Sequence, residues 1–377
     1  MSTRESQRAG IDLRGLVPEW MQRLAVYPPG MPIEELEREY GITGSIKLAS
    51  NENPFGPSPL ALEAIKKALS TLHRYPDGSG YYLRQALAAR LGVSADAVIL
   101  GNGSNDIIEL VARAFLRPGD DAVMADQAFV IYQMVVQATG AAARLVPLKR
   151  FTHDLEAIAR AITPATRLVF LANPNNPTGT IYKRDDWEDF LEGVPSDVMV
   201  VADDAYADYV EDPDYPDSLR YQRHDRLLLT LRTFSKIHGL AGLRVGYGVA
   251  PVEVVQVLNG LRQPFNVNAL AQVAALAALD DREHVERVRR SNREGLAYLQ
   301  QACDRMRRPY VPSWANFLLI EVGEAGRVYE ALLRRGVIVR PMDVYRLPHH
   351  LRVTVGTPAE NRRFVESLAA VLEVTAP

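Results

Sequence analysis

From residue 97 onward, short apolar runs alternate with amphipathic helical patterns, and no other feature of the chain narrows its fold so far. The runs are residues 97–100, 122–124, 167–171, 198–202, 227–231 and 245–249. Strands buried on both faces read as continuous apolar stretches, and strands separated by helices do not pair as hairpins. The pattern therefore predicts an α/β fold: a large domain with a mostly parallel sheet flanked by helices. At 377 residues the chain is longer than one core usually supports. A stretch rich in Ala, Leu, Glu and Arg, residues 268–306, predicts helix and carries the chain into a second, smaller α+β unit. There the sequence predicts strands over 316–322, 337–340 and 351–355, a helix over 327–335 stopped by Gly336, and a final helix. Thr357 is the N-cap of that last helix, followed by Pro358 and a capping-box Glu360. Before the sheet lies an extended, proline-containing segment and a short charged helix. The expected division is an arm (1–45), a large domain (46–267) and a small C-terminal domain (268–377).

The ends of the predicted strands carry the chemistry. In open α/β sheets, ligands bind outside the carboxyl ends of the strands. After residue 171 comes Ala172-Asn-Pro-Asn-Asn-Pro-Thr-Gly179, a fixed turn that presents Asn176. After Ala202 come Asp203, Asp204, Ala205 and Tyr206, and after Leu231 come Thr233, Ser235 and Lys236. The chain has only six lysines. Lys47, Lys66, Lys67, Lys149 and Lys183 read as solvated charges, whereas Lys236 is hemmed by hydroxyls, glycines and apolar residues. An amine at the end of a buried strand loses hydration, which depresses its pKa and frees the neutral nucleophile that a Schiff base requires. A fourth strand end runs into Gly101-Asn-Gly103-Ser104-Asn105 and then a helix. Glycine permits close backbone approach, and the free N–H groups of the first helical turn make a seat for a phosphate. Arg244 would either complete that anion site or pair at the surface.

Composition narrows the partners to small molecules. A net charge of −3 with 24 % charged residues gives no electrostatic reason to expect nucleic acid or an anionic membrane. The single cysteine, Cys303, points to a reducing compartment and sits in a helical pattern with no histidine near it, which argues against a nucleophile. The seven histidines show no metal-ligand spacing, and His349-His350 reads as a solvated pair. Residues 1–10 are polar, and the longest near-apolar run, 271–279, is too short to span a bilayer. The expected location is the cytoplasm.

Taken in order, these motifs resemble those of the fold type I enzymes that use pyridoxal 5′-phosphate, specifically the class I/II aminotransferases, and most closely the histidinol-phosphate aminotransferase family. The resemblance covers nearly the whole chain: Val26-Tyr-Pro-Pro-Gly30, Lys47 through Ser58, His73-Arg-Tyr-Pro76, Gly101-Asn-Gly-Ser104, Asn173 through Gly179, Asp203 through Tyr206, Thr233 through Tyr247 and Leu351 through Thr357. It implies that Lys236 forms the Schiff base with the cofactor and then shuttles the substrate proton, that Asp203 holds the pyridine nitrogen protonated, and that Asn176 and Tyr206 hydrogen-bond the 3′-oxygen. It implies further that Phe129 stacks on the ring, with ordinary core packing as the alternative. The backbone at Gly103, Ser104 and Asn105 would bind the phosphate together with Thr233, Ser235 and Arg244. Tyr75 would reach that phosphate from the other subunit of a homodimer. Arg352, and near it Arg340, would grip the anionic end of the substrate, and Tyr27 would close over it.

The chain departs from the family pattern at Asp204, where glutamate is common, at Asn105-Asp106, where Asp-Glu is common, and at His238, which either tunes the lysine or fills space. The implied activity is transamination of histidinol phosphate with 2-oxoglutarate in histidine biosynthesis. An aromatic amino-acid aminotransferase, a threonine-phosphate decarboxylase and a non-catalytic cofactor-binding sensor are the alternatives. The last would need a DNA-binding module that the 45-residue arm is too short to supply.

Overall fold

The computed structural model describes residues 15–24, 26, 30–222 and 226–375. Its strands are β1 (Ile46–Lys47), β2 (Val98–Gly101), β3 (Asp121–Ala125), β4 (Ala142–Val146), β5 (Thr166–Ala172), β6 (Met199–Asp203), β7 (Leu228–Thr233), β8 (Gly246–Val249), β9 (Tyr310–Val311), β10 (Phe317–Glu321), β11 (Val337–Ile338), β12 (Arg340–Met342) and β13 (Leu347–Thr354). Seven of them form one sheet in the order β2-β8-β7-β6-β5-β3-β4. Only β8 runs against its neighbours; the pairings from β7 across to β4 are all parallel. Strands β3, β6 and β7 are buried at every position because helices cover both faces. The period of two divides their side chains. Leu168, Phe170, Met199 and Val201 pack toward one core, while Val169, Leu171, Val200 and Ala202 pack toward another around Trp187 and Phe190.

The sequence reading did not anticipate β4. It is an edge strand whose first three residues are exposed, so it lacks the apolar run that marks the interior strands. The expected strand over 337–340 divides in two. Val337–Ile338 pairs in parallel with Ile46–Lys47, whereas Arg340–Met342 pairs antiparallel with β13 in the four-stranded sheet β12-β13-β10-β9. Leu48 joins the core of this smaller unit with Leu318, Val337 and Phe364, and the helix Ile33–Tyr40 seats Leu36 against Leu333 and Ile338. The segment before the large sheet is therefore packed onto the C-terminal unit.

The 24-residue helix Arg282–Arg305 contributes to two apolar clusters. Val288 packs with Tyr206, Ile237 and Phe317, and two turns later Leu296, Leu299 and Cys303 enter the small core. Burial pushes the Cys303 thiol up to about 12, which leaves it inert at neutral pH. The last helix, Pro358–Thr375, opens on the expected capping box: the Thr357 N–H donates to Glu360 Oε2 at 2.7 Å and the Glu360 N–H to Thr357 Oγ1 at 3.3 Å. Among the described residues no helix is long and apolar enough to cross a membrane.

Candidate active site

Strand β7 ends at Thr233, and the chain turns at once: the Phe234 N–H donates to Val245 O, and the Gly239 N–H closes back on Lys236 O. Gly239 has φ +71°, and a Cβ there would lie 2.0 Å from Gly56 O, so only glycine lets residues 56–57 press against this turn. Lys236 is left partly buried with its Nζ 3.3 Å from Asn51 O and 5.4 Å from the Tyr206 ring centre. Loss of hydration is the main reason its pKa falls to about 8, with Arg352 and Arg244 adding repulsion and Glu52 and Asp203 opposing it. The depression expected from the sequence is present.

Lys236 opens onto a cavity of about 390 Å³ at the carboxyl ends of β5, β6 and β7. Asp203 lies deep in it. One oxygen accepts from the Tyr132 hydroxyl at 2.6 Å, the other from the Ala205 N–H at 3.2 Å, and burial raises its pKa. Phe129 lines the same cavity and meets Tyr132 edge-on, with ring centres 5.6 Å apart. The sequence reading passed over Tyr132, which lies in the first turn of the helix Ile131–Ala138 and carries no local signal of its own. The Asn173–Pro174 and Asn176–Pro177 peptides are cis, and Asn175 ties their turn down by donating to Gln127 O and Thr178 Oγ1. Asn176 lines the cavity wall, where its Oδ1 accepts from Arg352 Nη1.

At one end of the cavity are Ser104, Asn105, Thr233, Ser235 and Arg244. Gly103 does not line it but sits directly behind, with φ +79°, as the residue before the helix Ser104–Phe115. A Cβ on Gly103 would be 2.3 Å from Arg244 Nη2, and one on Gly246 would be 2.6 Å from Ser104 N. The guanidinium of Arg244 therefore lies against the first N–H groups of a 12-residue helix, and cation and helix terminus together favour a phosphate.

The opposite wall comes from the small unit. Leu351, Val353 and Val355 face its core, which turns Arg352 and Thr354 to the other side of β13. Arg352 is buried; Nη2 donates to Ala49 O at 2.9 Å and the guanidinium lies 5.2 Å from the Phe317 ring centre. Arg340 is its register partner on β12 and lines the cavity with it, as does Tyr345. Asn51, also missed, joins the two walls. It lies in Lys47 through Ser58, and its only local signal is that asparagine tolerates the left-handed conformation it adopts here, φ 55°.

One expected residue lies elsewhere. Tyr75 is 84 % exposed and stacks on Phe265 at 4.8 Å, away from this cavity. Tyr27 lies outside the described residues. His238 tilts against Phe234 and lines a second cavity behind the lysine turn rather than the one that holds Lys236. Asp204 is fully buried, accepts from Ser218 Oγ at 2.7 Å and sits 3.5 Å from Arg232 Nη2; burial raises its carboxyl to about 7. It braces the strand end behind Asp203.

Residues 43–368 match the family described as aminotransferase class I and II. The chain is 50 % identical over 355 residues to histidinol-phosphate aminotransferase 1 of Nitrosococcus oceani, covering 94 % of this chain and 96 % of that one. It is 51 % identical over 365 residues to histidinol-phosphate aminotransferase 2 of Pseudomonas aeruginosa, covering 96 % and 99 %. Its structure superimposes with a TM-score of 0.89 on the histidinol-phosphate aminotransferase of Sinorhizobium meliloti in complex with pyridoxal 5′-phosphate, at 26 % identity and covering 96 % and 98 % of the two chains. A lysine amine of lowered pKa, a buried carboxylate and a helix-end anion seat converge in one cavity, and the chain belongs to the class I and II aminotransferases.

Proposed function

We propose that this chain is a pyridoxal 5′-phosphate-dependent histidinol-phosphate aminotransferase that uses 2-oxoglutarate as acceptor, serves histidine biosynthesis in the cytoplasm and works as a homodimer. The observation that carries the substrate reading is the pair Arg340 and Arg352, opposite each other on β12 and β13 and both lining the cavity. Two guanidiniums match the double charge of a phosphate monoester, whereas one suffices for an α-carboxylate. The high identity to enzymes of that name along nearly the whole chain supports the same reading.

The residues present fit the cofactor. Glycine at 103 leaves room for Arg244 beside the helix terminus, as a phosphate seat requires, and Asp203 offers a buried carboxylate with an oxygen already oriented by Tyr132. When bound, pyridoxal 5′-phosphate supplies an aldehyde carbon to which amines add and a cationic ring that draws electron density from the amine-bearing carbon. Asp203 would hold the proton on the ring nitrogen, and Asn176 and Tyr206 would face the ring oxygen. With its pKa near 8, Lys236 has an appreciable neutral fraction at neutral pH and would take the Cα proton of the substrate and return it to the adjoining carbon. Arg352 and Arg340 would fix the anionic end of the donor and, in the second half of the cycle, a carboxylate of the acceptor. Tyr75, turned outward beside Phe265, suits the role of reaching the partner's phosphate seat.

The test is a single-turnover comparison of histidinol phosphate, phenylalanine and threonine phosphate with the cofactor-loaded protein. Histidinol phosphate should be converted at least about tenfold more efficiently, about 1.4 kcal/mol of transition-state preference. A preference for phenylalanine would make this an aromatic aminotransferase. Carbon dioxide released from threonine phosphate would make it a decarboxylase.

A further inference from the structure

Asn51 is 1 % exposed, stands in the left-handed region, and uses nearly every polar atom it has. Its N–H donates to Thr354 Oγ1 at 2.9 Å, and the Thr354 hydroxyl donates back to Asn51 Oδ1 at 3.2 Å. That clamp fixes the amide so that Nδ2 donates to the Tyr206 phenol oxygen at 2.9 Å. The backbone oxygen of Asn51 accepts from Asn316 Nδ2 at 3.0 Å and from Lys236 Nζ at 3.3 Å. In this arrangement the phenol oxygen of Tyr206 is an acceptor toward Asn51, so its own proton is left for a group in the cavity. Thr354 lies two residues from Arg352 on the same side of β13, while Tyr206 and Lys236 belong to the large unit. One asparagine thus joins the strand that carries Arg352 to the side of the site where Lys236 and Asp203 sit.

We propose that Asn51 is a positioning residue for Tyr206: its amide, clamped by Thr354, aims the phenolic proton into the cavity and thereby couples the position of the Arg352 strand to the cofactor side of the site. The inference rests on the assignment of Tyr206 to the cofactor's ring oxygen. A phenol that accepts a hydrogen bond is a better donor through its own O–H. Donation to an anionic ring oxygen stabilises the deprotonated form of the bound cofactor. Asp203, Lys236 and Arg352 also act on Tyr206 or on the site and are unchanged in the variants below.

The experiment is a pH titration of the visible absorption band of the holoenzyme for the wild type, Tyr206→Phe, Asn51→Gly, Thr354→Val and the double variant Tyr206→Phe/Asn51→Gly. Glycine accepts the left-handed backbone, so Asn51→Gly removes the amide while leaving the carbonyl that faces Lys236. The midpoint should rise in Tyr206→Phe, should rise by about 0.5–1 pH unit in Asn51→Gly, and should move less, in the same direction, in Thr354→Val. The double variant should titrate with Tyr206→Phe, because two changes acting through one hydroxyl are not additive. An unmoved midpoint in Asn51→Gly, or an additive shift in the double variant, would overturn the inference while leaving the Tyr206 assignment intact. An unmoved midpoint in Tyr206→Phe would overturn that assignment and the inference with it. Should Asn51→Gly not fold, Thr354→Val decides, since an unmoved midpoint there breaks the clamp.

Discussion

The two walls of the cavity are built on different principles. The wall proposed to face the cofactor is made of strand ends in one sheet: Asn176 follows β5, Asp203 ends β6, Thr233 ends β7, and Ser104 opens the helix after β2. Each is placed by the strand or turn that carries it. The wall proposed to face the substrate is made by bringing distant chain segments together. Arg352 hydrogen-bonds to Ala49, and Asn51 to Thr354, each pair 303 residues apart in sequence. On the proposed roles, the cofactor would rest on the strand ends of one sheet and the exchangeable substrate on a junction between two units.

Substitutions on each wall, and one control away from both, test this contrast. The largest effect belongs to Lys236→Ala, on the cofactor wall: transamination should fall by about 10³-fold or more, with the fold intact by circular dichroism. Substantial activity in that variant would remove the mechanism. The same lysine gives a signature in the cofactor-free protein. Its folded pKa of about 8 lies below the unfolded value of about 10.4, so between those values the unfolded chain binds more protons. Wild-type stability should therefore rise relative to Lys236→Met as the pH is raised from 8 to about 10.4 in urea titrations. A gap that stays constant with pH would contradict the depressed amine.

Arg352→Ala comes next, on the substrate wall, and should lower kcat/KM about 10²-fold through KM while leaving cofactor affinity nearly unchanged. Equal losses of both affinities would mean that the walls are not separable. Tyr75→Phe should speed cofactor dissociation by about tenfold, the worth of one charge-assisted hydrogen bond. The effect should appear only in the dimer; the same change measured on dissociated monomers would refute the cross-subunit assignment. The smallest effect is expected from Thr357→Ala, which touches neither wall. It should cost about 1 kcal/mol in chemical denaturation, from loss of the capping box, with kcat and KM unchanged.

The contrast also decides what could be read from the amino-acid sequence. Asp203 was legible because it directly follows an apolar run, and Asn176 and Lys236 because they lie in the short polar turns that follow such runs, where the rule about strand ends applies. The capping box at Thr357 and the alternation that turns Arg352 away from the small core were legible for the same local reason. Tyr132 and Asn51 were not. Their importance lies in a hydrogen bond to Asp203 in one case and to Tyr206 and Thr354 in the other, and no local pattern distinguishes such a residue from an ordinary tyrosine or asparagine. Edge strand β4 and the division of the chain at Val339 were hidden because both depend on which neighbour a short segment finds. Placement of Leu48 in the core of the C-terminal unit is of that kind too.

The measurement that tests the account most directly is borohydride reduction of the cofactor-loaded protein followed by peptide mapping. A phosphopyridoxyl group should be found on the peptide containing Lys236 and on no peptide containing the other five lysines. Attachment at another lysine, or no attachment to the chain at all, would contradict the assignment of Lys236 as the residue around which the site is built.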